Sequence, residues 1–353
     1  MTGRQELIFH WVAVVVVMLY VTAWIGALVE LRRIQSEPVF GAMPAHMPPA
    51  ESPSSNITSQ IFGPPAPPTP FLTDAMLSFL HPLRGESGEV RFAPVLPGET
   101  VVDNAPSGAS AVIADEVRPD FASPEKAGIY DLAVALNAMR KPIEDLSIIT
   151  LVPIAQKRGG RIGSYIVGNW PGNSRYAQPA GFIEVTPQNR DFQVSEHFRL
   201  RDFLTKDQPN VWPKYLVLQP KLIDKLELTI QELERMGVDV DHVQVMSGFR
   251  TPRYNHSGGN TAGRANLSRH MYGDAADIFV DNDRNGIEDD LNHDGRIDSR
   301  DADVVGSAAE RVERQHRSLV GGIGVYSPCC GHGPFTHIDV RGFRARWRGT
   351  GNG

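Results

Sequence analysis

Two histidines and one aspartate in the C-terminal third of the sequence have the residue types and spacing of metal ligands. His270 and Asp277 are separated by six residues in the stretch SRHMYGDAAD, and His337 follows in the stretch GPFTHIDVRG. Neutral imidazole and carboxylate groups are competent zinc ligands, and a catalytic zinc needs three protein ligands with one position left for water. The spacing predicts a zinc site. The alternative is a pair of ordinary surface or core histidines.

The acidic stretch DLNHDGRIDSRD, shortly after Asp277, has the spacing of a calcium loop. Gly295 is at its sixth position, where the chain turns sharply, and Ile297 is at its eighth, where an apolar residue is usual. Asp301 replaces the usual glutamate at the twelfth position, so we expect weak calcium binding. The predicted ligands at positions one, three, five, nine and twelve are Asp290, Asn292, Asp294, Asp298 and Asp301.

The residues just upstream repeat the first half of this pattern and overlap the second loop. The arrangement resembles the calcium-binding repeats of the thrombospondin type and predicts a calcium-binding insertion at residues 281–303, with room for one ion or two. We expect calcium to order this insertion beside the zinc cleft, while a solvated acidic loop is the alternative. The upstream ligands are Asp281, Asp283, Asn285 and Asp289, with Gly286 at the turn.

Four sequence blocks in the same order resemble one family. The blocks SGFRTPRYN, SRHMYGDAADI, GGIGVY and FTHIDVRGFRARW are similar to those of the zinc D-Ala-D-Ala carboxypeptidase and murein endopeptidase superfamily, which has a hedgehog-type fold. The resemblance covers residues 192–347 and is closest to the bacterial branch whose third block reads His-x-Asp. It implies that His270, Asp277 and His337 are the zinc ligands. It also implies that Arg250 holds a substrate carboxylate or the developing oxyanion.

The sequence departs from this family at the position of the general base. Relatives carry a glutamate three residues before the last zinc histidine, and Pro334 occupies that position here. Hydrolysis needs a group that takes a proton from water and passes it to the leaving amine. Asp339 and His332 are the two candidates. The alternative role for Asp339 is a carboxylate that orients the His337 imidazole.

The elements that must position these residues follow from apolar spacing. Pro220 begins a predicted amphipathic helix that ends at Gly237, and the stretch DHVQVMSG predicts a strand that leads into the Arg250 block. The alternation in FTHIDV predicts a strand with His337 and Asp339 on one face. The stretch DADVVGSAAERVERQ predicts a helix after the calcium insertion. The expected fold class is α+β, with a small antiparallel sheet and flanking helices around a zinc cleft.

The N-terminal part of the sequence predicts three further regions. Residues 1–35 contain an uncharged apolar run, Leu7 to Val29, that is long enough for a transmembrane signal anchor. Residues 36–85 are rich in proline and serine and predict a linker. Residues 86–190 contain short β-type runs and predict a small β-rich domain with one helix at residues 127–139. The zinc domain would then occupy residues 191–349.

Composition limits the partners and the redox chemistry. The net charge of -6 and the absence of a basic stripe argue against nucleic acid as a partner. The two cysteines, Cys329 and Cys330, are adjacent. They predict either two small buried residues in a loop or a vicinal disulfide, and the first interpretation is preferred.

The predicted ligands indicate a zinc enzyme, and the family resemblance implies a metallopeptidase that cuts peptidoglycan stem peptides. The predicted cofactors are zinc and calcium. The predicted localisation is the bacterial inner membrane, with a single span and the C-terminal domain in the periplasm. The alternatives are a module that binds wall peptide or protein without cutting it, and a calcium-stabilised structural domain without zinc.

Overall fold

A five-stranded sheet carries the predicted metal ligands. The computed structural model of the protein describes residues 72–172, 176–259, 261, 264–329 and 331–350. The strand order of this sheet is β11-β12-β14-β13-β15, and only β15 pairs in parallel, with β13. The sheet was predicted to be antiparallel, but it is mixed. After β14 the chain crosses to the outer edge of β13, where β15 pairs with β13 in parallel. The strands are β11 Val243–Ser247, β12 Ala275–Val280, β13 Gly322–Tyr326, β14 Phe335–Asp339 and β15 Ala345–Gly349.

Two long helices pack together, and the second also lies against β13 and β14. Helix α1, Pro220–Arg235, begins with proline at its first turn, buries Leu222, Leu226 and Ile230, and is followed by Gly237 with φ of 83°. Helix α3, Ser299–Gln315, follows the predicted calcium insertion and is capped by the Asp298 side chain. Both helices confirm the sequence prediction. A short helix, α2, Pro252–Ser257, follows the Arg250 block.

The N-terminal part of the described chain contains a second five-stranded sheet, with order β1-β5-β4-β2-β3. The predicted helix at residues 127–139 is wrong, because β4 and β5 form a long antiparallel hairpin there. Asn137 and Ala138, with φ of 51° and 64°, form its turn. The strands are β1 Phe92–Val95, β2 Ser110–Ile113, β3 Glu116–Arg118, β4 Gly128–Leu136 and β5 Met139–Thr150.

Smaller elements connect these two sheets. A three-stranded sheet has the order β10-β9-β6, and β7 pairs with β8. The strands are β6 Val152–Pro153, β7 Arg161–Ile162, β8 Tyr165–Ile166, β9 Gly181–Val185 and β10 Lys214–Leu216. The 3-10 helices are Asp74–Arg84, Ile154–Gln156, Leu200–Phe203, Arg269–Tyr272 and Arg317–Leu319.

The main hydrophobic core extends across the predicted boundary at residue 190. It joins Phe92 and Phe182 to Leu222 on α1 and Ile338 on β14. A second core lies under the N-terminal sheet, and the 3-10 helix Asp74–Arg84 contributes Leu77 and Leu80 to it. The part of the chain predicted as a linker therefore ends in a packed helix.

In the described ranges, the chain forms no helix with both the length and the apolarity needed to cross a membrane. The long helices α1 and α3 each carry charged residues along one face. This finding corrects the predicted fold class and localisation: the transmembrane helix and the single-pass inner-membrane anchor are not supported. The apolar run from Leu7 to Val29 lies outside the described residues.

Candidate metal centre

The three predicted zinc ligands converge. His270 Nε2 lies 3.2 Å from His337 Nδ1 and 3.3 Å from Asp277 Oδ1, and His337 Nδ1 lies 2.8 Å from the same oxygen. Ligand atoms around a tetrahedral zinc with bonds of about 2.0 Å are about 3.3 Å apart. The three side chains are 2 to 6% exposed. Their donor types and spacing therefore fit a zinc ion.

The sheet and one tight turn bring the ligands together. Asp277 on β12 and His337 on β14 are register partners, so their side chains point to the same face. His270 comes from the 3-10 helix before β12, which ends at Gly273 with φ of 68°. A Cβ at Gly273 would collide with the Val217 carbonyl group, so glycine is required there for both its φ and the close backbone approach.

Each ligand is held by a partner on the side away from the metal position. His270 Nδ1 donates to the Gly248 carbonyl oxygen at 2.7 Å, which leaves Nε2 free to bind a metal. Arg250 Nη2 donates to Asp277 Oδ2 at 2.7 Å, so only Oδ1 faces the two histidines. These contacts fix the tautomer and the orientation of the ligands. Arg250 thus contacts a predicted ligand and also lines the adjoining cavity.

The electrostatics of the site favour the metal-binding protonation states of two ligands. Burial and the nearby charge of Arg250 lower the pKa of His270 to about 4, so its imidazole is neutral near pH 7. Burial raises the pKa of Asp277, but contacts with His270, His337 and Arg250 outweigh burial and place that pKa well below its usual value. Burial lowers the pKa of His337, but the hydrogen bonds with Asp277 and Asp339 raise it by more.

Asp339 lies behind His337 rather than in the cavity. Its Oδ2 is 3.1 Å from His337 Nε2, and its Oδ1 accepts from the backbone N–H groups of Gly322 and Arg341 at 2.7 and 3.0 Å. The Arg341 guanidinium also binds this carboxylate. Burial raises the pKa of Asp339, but the bonds from His337 and Arg341 hold it well below its usual range. This geometry fits a carboxylate that orients the imidazole.

A cavity of about 350 Å³ opens over the three ligands. The Tyr326 and Trp347 side chains form part of its wall, and Trp347 Nε1 donates to the Tyr326 hydroxyl oxygen at 2.8 Å. A Cβ at Gly324 would collide with the Trp347 indole, so this glycine allows the ring to lie across β13. Sequence reasoning missed both aromatic residues, although both lie within blocks that resemble the family.

Four arginines line the same cavity. Each has a local partner: Arg250 binds Asp277, and Arg341 binds Asp339. Arg269 binds Asp274, while Arg264 donates to backbone carbonyl groups. Three of these charges are paired with carboxylates, so the excess positive charge in the cavity wall, which favours an anionic ligand, comes from Arg264. Of these four arginines Arg250 was predicted as a site residue, although Arg269 directly precedes His270 and Arg341 lies in the His337 block.

The second candidate for the general base, His332, lies in a neighbouring cavity of about 250 Å³ that Pro334 also lines. His332 Nδ1 lies 2.7 Å from the Gly333 carbonyl oxygen. The two cavities adjoin, because the His332 ring contacts Phe335, which lines the metal cavity, at 5.2 Å between ring centroids. His332 is therefore not among the residues that surround the three metal ligands.

The upstream loop that was predicted to bind calcium brings its acids together. Carboxylate oxygens of Asp281, Asp283 and Asp289 lie within 4.8 Å of one another. Asp281 accepts from the backbone N–H groups of Asn285 and Gly286.

The second loop repeats this hydrogen-bond pattern nine residues later. Asp290 accepts from the backbone N–H groups of Asp294 and Gly295, at the same offsets as in the upstream loop. Backbone φ also repeats, at 58° for Arg284 and 59° for His293. The insertion is therefore a structural repeat, as the sequence predicted.

The second loop differs from the first in its charge partners. Arg300 binds both Asp294, at 2.5 Å, and Asp298, at 2.8 Å. The twelfth-position residue, Asp301, accepts from the backbone N–H groups of Leu291, Asn292 and Asp298. Asp301 therefore closes the loop through hydrogen bonds. Asp294 and Asp298, two of the predicted calcium ligands, already have the Arg300 guanidinium as a cationic partner.

Cys329 forms a disulfide, and the sequence contains one other cysteine, Cys330, which lies outside the described residues. The disulfide was the less favoured of the two predictions for this pair. Cys329 also pairs with His332 through a backbone bridge, at the edge of the second cavity.

One family model matches part of the chain. Residues 206–298, about a quarter of the chain, match the family model of peptidase M15. The match includes His270 and Asp277, whereas His337 lies beyond its end. Peptidases of this family are generally zinc-dependent metallopeptidases. Neither the curated proteins nor the solved structures contain a match to this chain.

Proposed function

We propose that this protein is a zinc-dependent peptidase that hydrolyses peptide bonds in peptidoglycan stem peptides. The observation that carries the proposal is the convergence of His270 Nε2, Asp277 Oδ1 and His337 Nδ1 at the floor of an open cavity. The match to peptidase M15 supports metallopeptidase chemistry. A zinc ion bound by these three residues would supply Lewis-acid activation of water and of the scissile carbonyl group.

The other cavity residues have roles that follow from their positions. The arginines would bind carboxylates of the stem peptide, which carries several, and so orient it against the ligands. The Tyr326 hydroxyl group is held by Trp347 and lies in the cavity wall, where it can donate a hydrogen bond to substrate. Asp339 would keep His337 oriented and would not accept a proton, because its oxygens already have donors.

Loss of one ligand tests the peptidase proposal. The His270→Ala variant should lose hydrolysis of murein fragments, because one of three zinc ligands is removed, whereas the native protein should release products that mass spectrometry detects. Asp303→Asn is a matched control, since Asp303 pairs with Arg348 on the surface and not with the site. Equal product release by native protein and His270→Ala would contradict the proposal.

One observation favours a second candidate, a binding module that recognises wall peptide without cutting it. Pro334 replaces the usual glutamate, and both Asp277 and Asp339 are already engaged, so the described cavity residues supply no free carboxylate as a base. The two candidates differ in one result. A binding module would bind murein fragments with zinc present and release no product.

We also propose calcium at the upstream loop, formed by Asp281, Asp283 and Asp289 with Asn285. This loop brings carboxylates together without a protein cation in the described structure, whereas Arg300 already neutralises part of the second loop. Calcium prefers such oxygen ligands.

The Asp283→Asn variant should bind calcium about tenfold more weakly in isothermal titration, because the loop loses one of the negative charges that attract the ion. Asp294→Asn should have a smaller effect, and the reverse order would contradict this assignment.

A further inference from the structure

A cavity of about 340 Å³ lies across the predicted domain boundary at residue 190 and shares no lining residue with the metal cavity. We call it the boundary cavity. Backbone hydrogen bonds fix its walls: the Ser147 N–H on β5 donates to the Arg91 carbonyl oxygen at 2.9 Å, and the Arg91 N–H donates to the Val194 carbonyl oxygen at 3.0 Å. Gln193 and Arg199 pair through a backbone bridge. Side chains from both sides of the boundary therefore meet at fixed positions.

Two half-buried guanidinium groups in the wall of the boundary cavity lack a carboxylate partner among the described residues. Arg91 Nη1 donates to the side-chain amide oxygen of Gln193 at 3.2 Å, and Arg199 donates no side-chain hydrogen bond within the described ranges. Glu89 and Asp202 act on these charges electrostatically without forming an ion pair with them. Because the two positive charges are only partly compensated, the cavity favours an anion.

The two aspartates in the same wall differ in their partners. Asp191 pairs with Arg201, so its charge is balanced. Asp145 forms no ion pair in the described chain, since the Arg84 guanidinium donates to its backbone oxygen and not to its carboxylate. Asp145 lies in a bulge of β5 with φ of 57°, and a bulge turns a side chain out of the normal alternation of the strand. The wall therefore adds a hydrogen-bond acceptor to the two cations.

These donors match an anion with more than two oxygens. A carboxylate has two oxygens in one plane, and a single guanidinium group can bind both of them. A phosphomonoester has three terminal oxygens in a tetrahedral arrangement, so it can accept from Arg91, Arg199 and the Ser147 hydroxyl group together. Asp145 would repel a bare phosphate ion, but its carboxylate can accept a hydrogen bond from a hydroxyl group of the ligand.

We propose that the boundary cavity binds a phosphomonoester of a polyol or sugar. The phosphoryl oxygens would accept hydrogen bonds from Arg91, Arg199 and Ser147, and a hydroxyl group of the ligand would donate to Asp145. The inference goes beyond the proposed peptidase and does not rest on it, because the two cavities have no residue in common.

Calorimetric titration of the full-length protein with glycerol 1-phosphate tests this site. We expect a dissociation constant of about 1 mM or below. Glycerate has a carboxylate in place of the phosphoryl group and should bind about tenfold more weakly, because it loses at least one charge-assisted hydrogen bond. Absence of binding at about 10 mM glycerol 1-phosphate, or equal binding of glycerate, would overturn the proposal.

Substitutions assign the binding to the boundary cavity. Arg91→Gln and Arg199→Gln should each weaken it by about tenfold, and neither change removes a backbone hydrogen bond of the wall. Arg235→Gln is the matched control, since Arg235 pairs with Glu232 at the end of α1, and it should bind like the native protein. Native affinity in both cavity variants, or an equal loss in Arg235→Gln, would overturn the proposal.

The metal cavity is the competing location for an anion, and Arg264→Gln tests it. The Arg264 variant should keep the native affinity for glycerol 1-phosphate, and a tenfold loss there with none in Arg199→Gln would overturn the proposal. Because the readout is binding, a lack of peptide hydrolysis by the native protein would contradict the peptidase and leave this result unchanged.

The role of Asp145 is tested with a ligand that lacks hydroxyl groups. Propyl phosphate should bind the native protein about fivefold more weakly than glycerol 1-phosphate, because it cannot donate to the carboxylate. Asp145→Gly removes the acceptor and suits the positive φ, so it should abolish this difference. A difference of the same size in Asp145→Gly would overturn the assignment of a hydroxyl-bearing ligand.

Discussion

At the scale of single residues, His337 lies between two carboxylates. Asp277 contacts its Nδ1, where a metal would bind, and Asp339 contacts its Nε2 on the opposite side. A carboxylate behind a ligand histidine fixes the ring and raises its basicity. The Arg341 guanidinium and the Gly322 N–H hold that carboxylate in turn. The candidate metal site therefore has two layers of hydrogen bonds behind His337.

Substitution of the outer carboxylate should weaken the metal site without removing a ligand. Asp339→Asn should reduce zinc affinity by about 10- to 100-fold, because the imidazole loses its charged partner. Competition with a chelating dye measures this change. Zinc affinity equal to that of the native protein would mean that Asp339 does not position His337.

At the scale of elements, a buried ion pair joins the two long helices to the sheet. Lys225 on α1 is fully buried, and its Nζ donates to Glu313 on α3 at 2.6 Å and to the Asp339 carbonyl oxygen at 2.7 Å. Glu313 has a second partner in Arg346. The pair thus connects helix packing to the strand that carries His337.

The two halves of this pair should differ in their effect on stability. Glu313→Leu leaves the Lys225 ammonium buried with only a carbonyl partner and should cost about 3 kcal/mol of unfolding free energy. Lys225→Met leaves Glu313 paired with Arg346 and should cost less, about 1 kcal/mol. Urea unfolding at constant pH measures both losses. The reverse order would contradict this description of the interface.

A second contact of α1 should make stability depend on pH. His197 Nδ1 lies 2.7 Å from a carboxylate oxygen of Glu227, and this hydrogen bond raises the pKa of His197 against the opposing effect of burial. A raised histidine pKa stabilises the fold below the unfolded value of about 6.5, and the contribution is lost as pH rises through the folded pKa. His197→Gln should therefore cost about 1 kcal/mol more at pH 5.5 than at pH 9.

Urea unfolding of the native protein and His197→Gln at the two pH values measures this difference. Glu227→Gln is the matched variant, and it should lose the same pH-dependent part because the charged partner is gone. If His197→Gln lowers the unfolding free energy equally at both pH values, the His197–Glu227 contact is not the source of the pH dependence.

The sequence could predict elements whose apolar period is strong. Helices α1 and α3 and strands β11 and β14 follow from spacing and capping residues. The hairpin of β4 and β5 could not be predicted, because residues such as Leu132 and Ala135 favour a helix by propensity while pairing across the sheet favours a strand. The turn at Asn137 and Ala138 carries no glycine that would have marked it.

At the scale of the whole molecule, the sequence could predict the cluster of His270, Asp277 and His337 but not the surface around it. These three residues lie in short sequence motifs, so residue type and order along the chain are enough to predict them. Tyr326 and Trp347 come from separate strands that only the mixed sheet brings beside these three residues. The described structure thus places two adjoining cavities on one sheet face, with four arginines around the one that holds the candidate metal ligands.

The measurement that tests the account most directly is the metal content of the purified full-length protein, by elemental analysis, beside His337→Ala and the surface control Asp303→Asn. We predict about one zinc per chain in the native protein and the control, and loss of zinc in His337→Ala, because His337 supplies one of three ligands. Native protein without zinc after equilibration with the metal, or equal zinc in all three proteins, would contradict the central claim.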